Sequence, residues 1–103
     1  MAYNYLFTAH AEKDFEYIMD YISVELRNPT AAQNLGRKLF EAIDNVCAFP
    51  QSGTPVVNSG IADSSVRRLV IDNYLLYYKP LKADNLLYIL RIVYGQRKQN
   101  DIL

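Results

Sequence analysis

Three apolar runs separated by short polar breaks dominate the sequence between Val66 and Arg97. The runs occupy residues 66–71, 74–80 and 86–94. They are rich in Leu, Ile, Val and Tyr, and β-branched and aromatic residues favour strands. The breaks, Asp72-Asn73 and residues 82–85, contain Asn and Asp, which tolerate the left-handed backbone of tight turns. The pattern predicts an antiparallel meander of three strands.

Apolar residues before this meander recur at helical rather than alternating spacing. Between residues 9 and 27, and again between residues 29 and 49, they fall mostly three or four positions apart. Thr8 and Asn28 precede these stretches as candidate N-caps, and Pro29 suits a first helical position, where its missing N–H is not needed. The two stripes are Phe15, Ile18, Met19, Ile22 and Leu26, then Ala32, Leu35, Leu39, Ile43, Val46 and Phe49.

Together these elements predict an α+β fold in which an N-terminal helical hairpin packs on a twisted antiparallel β-sheet. Residues 3–7 are a further candidate strand, and the chain, residues 1–103, is expected to form a single domain. A turn at Asp72-Asn73 pairs residue 71 with residue 74. The sheet face expected to meet the helices then comprises Arg67, Leu69, Ile71, Tyr74, Leu76 and Tyr78. The opposite face comprises Val66, Arg68, Val70, Leu75, Tyr77 and Lys79.

Charge is divided unevenly along a chain whose formal net charge is zero. Residues 1–50 hold four basic and seven acidic side chains, whereas residues 51–103 hold seven basic and four acidic ones. The predicted sheet is therefore locally positive, and a local field matters more to a polyanionic partner than the total charge does.

The remaining composition narrows the class of protein. One cysteine, Cys47, allows no internal disulfide and suits a reducing cytoplasm, where we expect the protein to act. No apolar run is long enough to span a bilayer, and no signal peptide is recognisable. One Cys and one His give no metal-ligand spacing, so neither a metal nor another cofactor is expected.

Several short motifs in this order resemble the RelE/ParE family of bacterial toxins over nearly the whole chain. They are Asn28-Pro29 with Ala31-Ala32, Phe49-Pro50-x-x-Gly53, Val66-Arg67-Arg68-Leu69, Asn73-Tyr74 and Ile89-Leu90-Arg91-Ile92. The resemblance implies the toxin of a type II toxin–antitoxin pair that inhibits growth or stabilises a plasmid. It also implies neutralisation by a cognate antitoxin segment that wraps over the toxin.

The family is divided by target, and the resemblance leaves both targets open. RelE-like members cut mRNA in the ribosome, whereas ParE-like members poison DNA gyrase. Arg68 and Arg97 match basic positions of the RelE-type site, but Leu75 and Leu103 stand where that site has an arginine and a tyrosine. The Asn-Pro helical hairpin is more similar to the ParE branch. The balance favours gyrase inhibition, with a ribosome-dependent endoribonuclease as the alternative, so whether the protein is an enzyme stays open. A third interpretation is a degenerate member that is retained only for antitoxin binding and autoregulation.

The two targets assign different roles to the basic and aromatic residues. Metal-independent RNA cleavage needs a base, an acid and cations beside the phosphate. In a RelE-like enzyme Arg68 and Arg97 would supply the cations. Either Tyr94 or Tyr77 would supply proton transfer once its pKa is lowered. Candidate binding residues for either target are Arg67, Arg91, Tyr77 and Lys98. Alternatively, Arg67 and Arg91 are structural and pair with Asp14, Asp20, Glu25 or Asp44. A further alternative is that the tyrosines are core residues of the sheet whose hydroxyls reach solvent.

Overall fold

A computed structural model of the chain describes residues 2–56 and 65–95. Its strands are β1 (Asn4–Phe7), β2 (Thr54–Pro55), β3 (Arg67–Ile71), β4 (Tyr74–Leu81) and β5 (Leu86–Tyr94). Its helices are α1 (Ala9–Asp20) and α2 (Pro29–Ala48), with a π-helical turn at Tyr21–Glu25 and a 3₁₀ turn at Lys82–Asp84. Within the described residues no helix combines the length and apolar composition that a bilayer crossing needs.

Both predicted N-caps are confirmed. The Thr8 hydroxyl accepts the Ala11 N–H at 3.1 Å, and the Asn28 side-chain oxygen accepts the Ala31 N–H at 3.1 Å. The first helix differs from the prediction at its end. Residues 21–25 continue it as a π-helical turn, in which the Leu26 N–H donates to the Tyr21 carbonyl at 3.0 Å. This wider turn moves Leu26 out of the apolar stripe, and its side chain is exposed.

The predicted meander is confirmed, and so is the predicted register of its first two strands. The strands are arranged in the order β1-β5-β4-β3-β2, and Arg68 pairs with Tyr77 on the adjacent strand as expected. Asp72 and Asn85, one in each polar break, have φ angles of 52° and 49°, which is the left-handed conformation predicted for these turns.

One strand makes the sheet mixed rather than wholly antiparallel. β1 lies at the edge and runs parallel to β5, with Asn4 opposite Leu86 and Phe7 opposite Ile89. Because β1 ends there, the same edge of β5 has no strand partner from Leu90 onward among the described residues. This open edge lies beside α1.

The sheet face predicted to meet the helices does so. Leu76, Tyr78 and Ile92 are buried against Leu39 and Ile43 of α2. The opposite face is also partly buried, in a second cluster of Val66, Leu75, Tyr77 and Val93. Phe49, predicted as the last core residue of α2, is instead exposed, because the helix ends at Ala48.

Shortening two side chains of the central core tests this packing. Leu39→Ala and Ile92→Ala should each lower the free energy of unfolding by about 2–5 kcal/mol, because each leaves a cavity among buried neighbours. Urea unfolding measures the loss. Val70→Ala is the matched control: Val70 is 70% exposed, so a change within about 0.5 kcal/mol is expected. Losses that small in the two core variants would mean that the core is wrongly placed.

Candidate functional site

Three candidate residues occupy one row across the sheet. Arg68 on β3 pairs with Tyr77 on β4, which pairs with Arg91 on β5. A register shift follows at once, because Tyr78 pairs with Ile89 and leaves Leu90 as an extra residue in β5. Such a bulge re-aims neighbouring side chains. Here the Arg91 guanidinium contacts α1 instead of extending the row.

Asp14 of α1 receives this guanidinium and also satisfies the backbone of β5. Its carboxylate accepts from Arg91 Nε at 2.8 Å, from a terminal guanidinium nitrogen at 3.2 Å, and from the Ile92 N–H at 3.0 Å. The ion pair is mostly buried, with side-chain exposures of 15% for Arg91 and 14% for Asp14. The structural alternative for Arg91 is therefore observed, with Asp14 as the partner out of the four proposed acids.

Arg67 also bonds within the protein, but to carbonyl groups. Its guanidinium donates to the Gly53 carbonyl at 2.6 Å and to the Gln51 carbonyl at 3.0 Å. These contacts hold the segment that follows α2 against β3. None of the acids proposed as its partner is used in these bonds.

Tyr78 also holds this segment, through two hydrogen bonds. Its hydroxyl donates to the Pro50 carbonyl and accepts the Gly53 N–H, both at 2.9 Å. A Cβ on residue 53 would come within 2.5 Å of that hydroxyl, so only glycine fits. Burial raises the pKa of Tyr78, partly offset by the Gly53 hydrogen bond and the Arg67 charge. The Pro50-x-x-Gly53 motif thus forms a loop that hydrogen bonds from Arg67 and Tyr78 hold on the sheet. We call this set of contacts the loop clasp.

The outer face of the sheet, which points away from the helices, buries two of the positions considered for catalysis. Tyr77 is fully buried, and its hydroxyl finds no hydrogen-bond partner among the described residues. Leu75, at the position where RelE-like toxins would have an arginine, is buried beside it. Arg68 projects from this face and is half-buried. Arg97 and Lys98, predicted as site residues, lie outside the described residues.

Tyr94 belongs to the other side of the sheet. It pairs with Tyr74, which packs on the helix-facing core, and its ring meets that of Tyr74 edge-on at 5.7 Å. Side chains alternate between faces along a strand. Tyr94, which is 44% exposed, and Arg68 therefore project from opposite faces, and the sheet does not bring them together.

The family of the chain follows from its sequence as well as its fold. Residues 5–99 match the model of the ParE toxin of the type II toxin–antitoxin system parDE. The chain belongs to the ParE toxin family. It is accordingly a type II toxin of the RelE/ParE superfamily, as the resemblance of its motifs implied. No curated protein sequence matches it significantly.

Solved structures of toxins share the fold of this ParE-family chain. The chromosomal ParDE system of P. aeruginosa is similar with a TM-score of 0.70 and 20% identity, over 92% of this chain and 98% of that one. The RelBE2 toxin–antitoxin complex of Mycobacterium tuberculosis gives 0.61 and 18%, over 91% and 99%. The isolated E. coli RelE toxin gives 0.59 and 16%, over 97% and 92%.

Two features of the ParE-family chain were not visible in the sequence pattern. The bulge at Leu90 places Arg91 on the helix side, and apolar alternation gives no signal for an extra residue. The loop clasp depends on Tyr78, which was expected in the core but without its two hydrogen bonds. The glycine of the Pro50-x-x-Gly53 motif was the one available sign that a side chain approaches the backbone there.

Removing the Asp14 carboxylate tests the contact between α1 and β5. Asp14→Ala leaves the Arg91 charge and the Ile92 N–H without this acceptor, so the free energy of unfolding should fall by about 3 kcal/mol in chemical denaturation. Glu41→Ala is the control, because the Arg37–Glu41 pair is 59% and 62% exposed and should contribute under about 0.5 kcal/mol. Equal effects of the two variants would contradict the proposed importance of the buried pair.

Proposed function

We propose that this ParE-family toxin acts by binding DNA gyrase in the bacterial cytoplasm, without cutting RNA itself. The placement of Arg68 and Tyr94 on opposite faces of the sheet is the observation that supports this most strongly. An endoribonuclease needs a proton-transfer group and a cation at the same phosphate. Arg68 and Tyr94 cannot serve one phosphate from opposite sides of a sheet. Tyr77, the other candidate, lies opposite Arg68 but is fully buried, which keeps its hydroxyl away from a substrate.

The burial of neighbouring residues supports the same proposal. Leu75 and Tyr77 fill the outer face with apolar contacts at the positions that flank Arg68 across the strands. A poison that works by binding needs a complementary surface rather than converging acid and base groups. The family match over residues 5–99, described for the ParE toxin rather than for RelE, agrees with a gyrase target.

Purified toxin incubated with gyrase, ATP and supercoiled plasmid tests the target directly. We expect linear DNA to accumulate once the gyrase is digested, since a poison traps the cleaved intermediate. The toxin should leave mRNA intact on translating ribosomes under matched conditions. Arg68→Ala and Arg97→Ala should weaken gyrase poisoning if the basic sheet contributes to binding, whereas Arg37→Ala, an exposed arginine on α2, is the control.

The alternative target predicts the opposite result. A ribosome-dependent endoribonuclease would cut mRNA in the presence of wild-type toxin and lose that activity with Arg97→Ala. Loss of one cation facing the developing charge would cost about a hundredfold to a thousandfold in rate. Such cleavage, with no linear plasmid in the gyrase assay, would overturn the proposal.

We also propose that a cognate antitoxin neutralises the toxin with an acidic segment. Two of the similar structures, ParDE and RelBE2, are toxin–antitoxin systems. Among the described residues β1 has no strand partner on its outer side, and Leu6 is 51% exposed there. An extended segment can add to such an edge. Arg67 and Arg68 on β3 contribute positive charge elsewhere on the sheet, which suits an acidic partner.

The neighbouring gene tests the antitoxin proposal. It should encode a small protein with a DNA-binding N-terminal part and an acidic amphipathic C-terminal part, and co-expression should restore growth. As a control, the same neighbour lacking its acidic part should fail to restore growth. A solitary gene whose product is harmless on overexpression would count against both the antitoxin and the toxin activity.

A further inference from the structure

An open groove of about 820 Å³ lies between the end of α1, the start of β4 and the end of β5. Ile18, Leu26 and Ile92 contribute apolar surface to it, and its volume is within the range of sites that bind ligands specifically. The π-helical turn at Tyr21–Glu25 borders the groove, and such turns frequently mark functional sites. Arg67, Tyr78, Arg68 and Tyr77 are not among the residues that line the groove.

Tyrosine rings line the groove on both sides. Tyr17 and Tyr21 stack with their centroids 6.2 Å apart and an interplanar angle of 16°, and Tyr74 and Tyr94 meet edge-on from the sheet. Burial, together with the nearby Tyr94 and Tyr21, raises the pKa of Tyr74. The faces of such rings are electronegative and attract cations.

The charged side chains that the structure describes in this region are acidic. Asp20 and Glu25 line a second hollow that shares Tyr17 and Tyr21 with the groove. Asp14 also lines the groove, but its charge is offset by Arg91. Among the described residues that line the groove and this hollow, none is Lys or Arg. The carboxylates of Asp20 and Glu25 would repel phosphate groups and acidic side chains.

We propose that this tyrosine groove docks an apolar segment of a protein partner that presents arginine or lysine side chains. The apolar lining would bury the segment's aliphatic residues, while the tyrosine faces and the carboxylates of Asp20 and Glu25 would hold its cations. The inference goes beyond the proposed function and does not depend on gyrase as the target. The same charges disfavour nucleic acid and the acidic antitoxin segment at this groove.

Two short synthetic peptides, with the same leucines but either arginines or glutamates between them, are the probes for the full-length toxin. Titration followed by NMR should show saturable binding of the arginine peptide, with amide shifts concentrated at Tyr17, Tyr21, Ile92 and Tyr94. The glutamate peptide should not bind there. Tight binding of the glutamate peptide at these residues, or binding of neither peptide, would overturn the proposal.

Variants separate the ring and charge contributions. Tyr21→Leu keeps apolar bulk but removes the ring, and should weaken the arginine peptide about three- to tenfold. Asp20→Asn combined with Glu25→Gln should weaken it similarly and reduce its salt dependence. Tyr5→Leu on β1 and Asp84→Asn in the opposite hairpin turn are the matched controls and should leave affinity unchanged. Unchanged affinity in both groove variants, with native circular dichroism, would contradict the proposed site.

Discussion

The contact of Asp14 with the edge of β5 is the constraint on which the arrangement of this toxin depends. β1 is four residues long and ends opposite Ile89, so the remaining edge of β5 needs acceptors from another element. Asp14 meets this need at the Ile92 N–H while neutralising Arg91, which the bulge has turned toward the helix. An unpaired buried N–H or charge would be costly, so α1 is held in one position on the sheet.

The position of α1 in turn divides the molecule into two different surfaces. On the helix side, α1 and its π-helical turn bring Tyr17 and Tyr21 opposite Tyr94, beside the carboxylates of Asp20 and Glu25. On the outer side, Arg68 projects from a sheet surface filled by Leu75 and Tyr77. These surfaces differ in charge and in chemistry, which suits a protein that binds more than one macromolecule. Neither surface assembles an acid, a base and a cation from the described candidates.

Much of the fold could be predicted from the sequence because it depends on local chemistry. Thr8 and Asn28 cap helices through bonds three residues away, and Asp72 marks a turn by its tolerance of a positive φ. The candidate site could be predicted less completely than the fold, because it depends on contacts between distant segments. The Leu90 bulge decides where Arg91 points, and the π-helical turn decides where Tyr21 lies. Apolar periodicity contains no signal for either irregularity.

Hydrogen exchange at the Ile92 amide tests the central constraint most directly. If the Asp14 carboxylate is its acceptor, this edge amide should exchange as slowly as the β5 amides that are bonded to β4, although no strand in the described part of the chain covers it. In Asp14→Ala its exchange should accelerate far more than theirs. Fast exchange of Ile92 in the wild-type protein, or equal acceleration of all β5 amides in the variant, would contradict the account.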